Sequence, residues 1–239
     1  MKVHVLLKKE ELDGERLQGK VVVVLDVLFA TSSIVTALAH GARSVVATPD
    51  GESCLAAARG EPADSYVLSG ELRTHTLPGF TDPTPLALLR QPLAGRTLFY
   101  ATTNGTVALH KSAGARHVYA AALLNGRAIV ERLLGAHGDD TVLIVCSGSV
   151  DNFNLEDFYG AGYLVSLLCR QARGEPELTD AARAASLLYD HVDALECLAA
   201  SRVGRIMRER GAMAEVEFCA QESTLAVVPG LADGRLQAL

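Results

Sequence analysis

Apolar residues along this chain follow two alternating rhythms. Short, nearly continuous β-branched runs such as Val21, Val22, Val23, Val24 and Leu25 end in a polar tip, and the tip leads into a stretch whose apolar positions recur every three or four residues. A run buried on both faces reads as a parallel strand, and the 3.6-residue rhythm reads as a helix. The pattern predicts strands over 1–7, 21–27, 44–48, 65–69, 97–101, 117–121 and 141–146, and helices over 34–38, 52–59, 106–112, 127–134 and 155–170. Strands alternating with helices predict an α/β fold: a mostly parallel, doubly wound sheet with helices on both faces and right-handed crossovers.

After the break at Gly174, Glu175 and Pro176 the rhythm changes. Ala182, Ala185, Leu188, Val192 and Leu195 predict one long helix over 179–201, and alternation predicts short antiparallel edge strands over 215–219 and 224–228. The expected organisation is a single domain over 1–239 with a smaller C-terminal subdomain from about 175. The segment 78–92 holds four prolines and is the longest expected irregular loop.

Composition narrows the function classes. With 22 basic against 28 acidic residues the net charge is −6, which gives no basic field for a nucleic acid backbone. No stretch approaches the ~20 apolar residues of a membrane span. Residues 1–7 run into Lys8, Lys9, Glu10 and Glu11 without the features of a secretion signal, so they read as a first strand of a cytoplasmic protein. Five cysteines without a C-x-x-C pair argue for reduced thiols rather than a disulfide framework or zinc cluster.

In a parallel α/β sheet the strand tips gather along one edge, where helix N-termini favour anions. Thr31, Ser32 and Ser33 follow the strand that ends at Asp26, and Thr102, Thr103, Asn104, Gly105 and Thr106 follow the strand over 97–101. Of these, Thr31, Ser32, Thr103, Asn104, Gly105 and Thr106 are expected to hold a phosphate, with Ser147 and Gly148 holding the rest of the substrate. The alternative for the hydroxyls is helix capping, and for Asn104 with Gly105 an ordinary turn. Asp26, Glu71, Glu156 and Asp157 are oxygen ligands of the kind magnesium takes, with Asp26, Glu71 and Asp157 the expected catalytic carboxylates. Capping for Asp26 and helix-dipole compensation for Glu156 and Asp157 are the competing roles. Cys146 lacks the arginine of a cysteine-phosphatase loop and reads as a buried strand residue, and no histidine pattern signals a zinc hydrolase.

Several ordered segments together resemble the 2-phosphosulfolactate phosphatase family. They are Asp26-Val27-Leu28 with Ala30 to Leu38, Gly70-Glu71, Pro78-Gly79-Phe80, Thr102 to Thr106, Leu124-Asn125, Cys146-Ser147-Gly148, Leu155-Glu156-Asp157 with Gly160-Ala161-Gly162, and a tail from Glu217 to Pro229. The resemblance implies a magnesium-dependent phosphatase that converts 2-phospho-3-sulfolactate, a small anionic substrate, to sulfolactate and phosphate, a step toward coenzyme M or related sulfonates. The composition, not the resemblance, argues against a nucleic acid or membrane partner, and assembly into a homo-oligomer stays open. Phe29 stands where the family places an arginine, Leu72 stands where an arginine follows the Gly-Glu pair, and Asp82, Pro83, Thr84 and Pro85 replace an Asn-Ser-Pro segment. Arg73, next to Leu72, is the expected substitute anion ligand. A phosphatase for a different phospho-acid and a catalytically silent anion-binding relative are the alternative readings. A nucleotide-dependent enzyme is disfavoured by the missing glycine-rich fingerprint.

Overall fold

The computed structural model describes residues 1–72 and 74–239. Its strands are β1 (Lys2–Leu6), β2 (Val21–Leu25), β3 (Ser44–Thr48), β4 (Tyr66–Leu72), β5 (His75–Thr76), β6 (Thr97–Ala101), β7 (His117–Ala121), β8 (Thr141–Cys146), β9 (Glu177–Leu178), β10 (Pro229–Ala232) and β11 (Arg235–Ala238). Its helices are α1 (Ala30–Ala39), α2 (Gly51–Ala57), α3 (Pro85–Leu88), α4 (Gly105–Lys111), α5 (Gly126–Ala136), α6 (Leu155–Gln171), α7 (Asp180–His191), α8 (Ala194–Ala200), α9 (Arg202–Glu209) and α10 (Met213–Cys219).

The strands form one sheet in the order β5-β4-β6-β3-β11-β10-β7-β2-β8-β1-β9. Two parallel blocks make up most of it, β4-β6-β3 and β7-β2-β8-β1-β9. The β-branched run of β2 is buried throughout because alternate residues serve opposite faces. Val21, Val23 and Leu25 join the core beneath α6, with Ile144, Leu164 and Leu168, while Val22 and Val24 join the core beneath α1, with Ile34, Val35, Leu98 and Tyr100. The α/β class, the mostly parallel sheet and its helical layers therefore agree with the sequence pattern.

The tail departs from it. The expected helix over 179–201 is two helices, because Val192 is extended and the Asp193 side chain accepts the Glu196 N–H at 3.0 Å, capping a new start. The expected strand over 215–219 lies in α10, where Val216 and Cys219 are buried at helical spacing. Residues 224–228 are irregular, their backbone tied at Leu225 N to Leu124 O and at Val227 O to the Asn125 side chain. The antiparallel pair is instead β10 and β11, turned by Asp233 and Gly234 at φ 49° and 73°. It sits inside the sheet, meeting β7 at Gly230–Tyr119 and β3 at Leu236–Val45.

Candidate active site

The C-terminal ends of β2, β6 and β4 open onto a cavity of about 520 Å³, within the usual range for small-molecule sites. Asp26, Phe29, Glu71, Thr102, Thr103 and Asn104 line it from the sheet side, and Arg90, Arg202, Arg210 and Glu215 from the loop after α3 and from the helical arm α9–α10.

Asp26 leaves β2 already buried, at 7% exposure. Burial pushes its carboxyl up to about 7, with the charges of Glu156 and Glu71 adding to the rise, while the N–H groups of Ala30 and Gly105 pull the other way. Gly105 is required here: a Cβ at that position would lie 2.5 Å from the Ala30 methyl and 2.7 Å from Asp26 Oδ2. The hydroxyls of the first tip are occupied by the chain. Thr31 Oγ1 accepts the Asp26 N–H at 2.9 Å, Ser32 Oγ donates to Val27 O at 2.8 Å, and Ser33 Oγ donates to Pro83 O at 2.5 Å; all three residues are fully buried. Thr106 likewise donates to Thr102 O within the chain. None of Thr31, Ser32, Gly105 and Thr106 lines the cavity.

Glu71 does line it, and its carboxylate accepts both the N–H and the hydroxyl of Thr103, at 2.7 and 2.8 Å, and the N–H of Thr74 at 2.5 Å. An acid of the chain thus occupies donors that the sequence assigns to phosphate. Asp157 opens α6 with no exposed surface, and its two oxygens accept the N–H groups of Val27 and Gly148 at 2.9 and 3.1 Å, locking the tips after β2 and β8 together. Burial, then Asp26 and Glu156, hold its carboxyl well above the ordinary range. Glu156 is 1% exposed and its carboxyl is also raised, first by burial. Among the described residues both of its oxygens, together with Ser147 Oγ and Thr102 Oγ1, are buried without a hydrogen-bond partner. Ser147, Gly148, Glu156 and Asp157 are not among the residues that line the cavity. Among the described residues no three His, Cys, Asp or Glu side chains form a ready metal-binding group. The acids with oxygens least held by N–H groups are Asp26 and Glu156.

Arg73 lies outside the described residues. Three guanidinium groups reach the cavity from elsewhere. Arg202 donates to Ser149 Oγ at 2.6 Å, Arg210 donates to Thr74 O and Oγ1 at 2.8 and 2.9 Å, and Arg90 lines the wall. The sequence reading missed all three, although Arg202, Arg205, Arg208 and Arg210 concentrate positive charge within nine residues of an acidic chain. Cys146 is fully buried and burial holds its thiol well above its usual value, the setting of a packed strand residue rather than of a thiolate. Among the described residues no helix is long and apolar enough to cross a membrane.

Comparisons with known proteins find relatives along nearly the whole chain. A model of the 2-phosphosulpholactate phosphatase family matches residues 6–234. A protein of Carboxydothermus hydrogenoformans is 37% identical over 99% of this chain and 96% of its own length, and one of Symbiobacterium thermophilum is 36% identical over 93% and 96%. A third, from Clostridium beijerinckii, is 30% identical over 99% of both chains, and all three carry the name "Probable 2-phosphosulfolactate phosphatase". With the family match covering nearly the whole chain, from β1 to the C-terminal hairpin, this protein belongs to the 2-phosphosulpholactate phosphatase family of phosphoric monoester hydrolases.

Proposed function

We propose that this protein is a magnesium-dependent phosphatase that releases phosphate from a small phosphorylated 2-hydroxy acid, with 2-phospho-3-sulfolactate as the substrate and sulfolactate as the product. The observation that carries the reading is the cavity itself, whose lining combines Asp26 and Glu71 with Arg90, Arg202 and Arg210. A substrate with two acidic groups, bound by guanidinium groups beside carboxylates that suit a cation, matches that lining. Guanidinium groups hold phosphate or sulfonate by paired charged hydrogen bonds, so the cations of α9 and its neighbours take the role that Phe29 cannot.

The acids suit a hard cation. Glu156 adds to the rise at Asp26, and Asp26 and Glu156 add to the rise at Asp157, so a divalent ion beside them would relieve that repulsion. Magnesium often uses only one or two carboxylates, completing its shell with water and phosphate oxygens, which fits the absence of a group of three convergent acids among the described residues. Asp26 and Glu156 would hold it, and it would neutralise charge developing on the phosphoryl oxygens. Asp157 fixes the backbone of both tips, Glu71 orients Thr103, and Phe29 and Leu28 exclude water from one side of the cavity. In this reading Thr31, Ser32, Gly105 and Thr106 serve the phosphate indirectly, by shaping the tips that present Asp26 and Asn104.

The test is phosphate release from 2-phospho-3-sulfolactate and from a panel of phosphorylated 2-hydroxy acids, with magnesium and with a chelator. Release that needs magnesium and favours the sulfonate supports the reading. Absence of release from every member of the panel in the presence of magnesium overturns it.

A further inference from the structure

Lys9 lies in the short turn after β1, is 5% exposed, and has no part in the roles assigned above. A lysine is rarely this buried without compensating partners. Its Nζ lies 3.1 Å from Asn104 Oδ1, 3.1 Å from the main-chain oxygen of Ser147 and 3.1 Å from Glu10 Oε1. An ammonium has three N–H donors and no acceptor, so these contacts take every donor it has. Lys9 therefore joins the tips after β6 and β8, which belong to opposite blocks of the sheet, and leaves no proton for a bound molecule.

The contact also fixes a direction. An ammonium can face only the oxygen of a carboxamide, so the Asn104 side chain must turn its NH₂ group away from Lys9. Asn104 lines the cavity, and among the described residues its Nδ2 has no hydrogen-bond partner. In the reverse orientation the amide would offer a carbonyl oxygen to an anion.

We propose that Lys9 is a positioning residue that holds the Asn104 carboxamide with its two N–H donors toward the cavity, where they bind an oxyanion of the substrate. The proposal rests on the phosphatase reading of that cavity. Inorganic phosphate is the probe, titrated into the magnesium-loaded protein by calorimetry and by NMR of the Asn104 side-chain NH₂ resonances, alongside KM and kcat for 2-phospho-3-sulfolactate. Phosphate is expected to shift those resonances in the unaltered protein. Lys9→Met is expected to raise the phosphate Kd and KM by roughly tenfold, the size of one net hydrogen bond to a charged group, with a smaller change in kcat. Lys9→Arg should recover most of that loss, and in an Asn104→Ala background Lys9→Met should add nothing further.

Losses from Lys9→Met and Asn104→Ala that multiply overturn the proposal, because Lys9 then acts independently of the amide. Should Lys9→Met fail to fold, the unaltered protein decides: resonances unmoved by saturating phosphate overturn the proposal, and shifted resonances with a weakened Kd in Asn104→Ala support it. A protein that hydrolyses substrate while the Asn104 amide stays unmoved overturns this inference alone, whereas one that neither binds phosphate nor releases it overturns the phosphatase reading as well.

Discussion

Asp26 and Asp157 are both buried aspartates at adjacent tips of the same sheet edge, yet their surroundings differ. Asp157 has a close main-chain N–H on each oxygen and does not line the cavity; Asp26 has a long contact from Ala30 N at 3.4 Å and the weaker pull of the Gly105 N–H, and lines the cavity. Two carboxylates of similar burial thus divide into one that binds the scaffold together and one whose oxygens are available to a ligand. Local donors, rather than depth, set that division.

The largest expected effect falls on Asp26. Asp26→Asn should lower kcat by about 100-fold or more, the scale of a lost ligand or acid-base group, while the denaturation midpoint stays the same or rises. Asp157→Asn should do the reverse in emphasis: its NH₂ group must meet a backbone N–H, leaving a buried donor unpaired, and unfolding free energy should fall by about 1–3 kcal/mol. Steady-state kinetics and urea melts on both variants would erase the contrast if they returned the same profile.

The pH dependence sharpens it. Asp26 titrates near 7 in the folded chain and near 3.8 when unfolded, so between those values the folded state holds the extra proton and stability falls as pH rises. Urea melts at pH 5 and pH 8 should show that fall. Asp26→Asn should reduce the slope without abolishing it, because Glu156 and Asp157 are shifted in the same direction. Magnesium should stabilise more at pH 8 than at pH 5, and equal thermal shifts at the two values would detach the ion from Asp26.

Smaller effects separate substrate contacts from scaffold. Arg202→Met should raise KM for a doubly acidic substrate by roughly tenfold, the worth of one charge-assisted hydrogen bond. Thr31→Val removes the acceptor of the Asp26 N–H and should lower stability by about 1 kcal/mol with KM unchanged. A larger KM change in Thr31→Val than in Arg202→Met would reverse the assignment of these two regions.

Much of this was legible in the order of residues. The continuous apolar run of β2 and the alternation of strand and helix led to the sheet, and polar residues at strand ends led to Asp26, Glu71, Thr103 and Asn104 on the cavity wall. Whether a hydroxyl is free or engaged is not a local property: Ser33 donates to Pro83, fifty residues away, and Glu71 takes the donors of Thr103 across two strands. The arginines were hidden for the same reason, since α9 comes beside the sheet edge only after the chain has built most of the fold. The Glu215 to Cys219 stretch satisfied strand alternation and helix spacing at once, and contact with the α3 segment, where Glu215 meets Thr84 and Leu86, favours the helix. The Asp233-Gly234 pair was the overlooked local sign, a common hairpin turn between the two short strands.

The interior place of β10 and β11 has a consequence for biogenesis. Their neighbours β3 and β7 are translated more than a hundred residues earlier, so a nascent chain can assemble both parallel blocks while each still carries an open border. Such borders invite strand exchange between chains. Closing the seam with the final hairpin turns two adhesive halves into one sealed sheet, so a lesion in residues 229–238 should damage solubility before it touches chemistry.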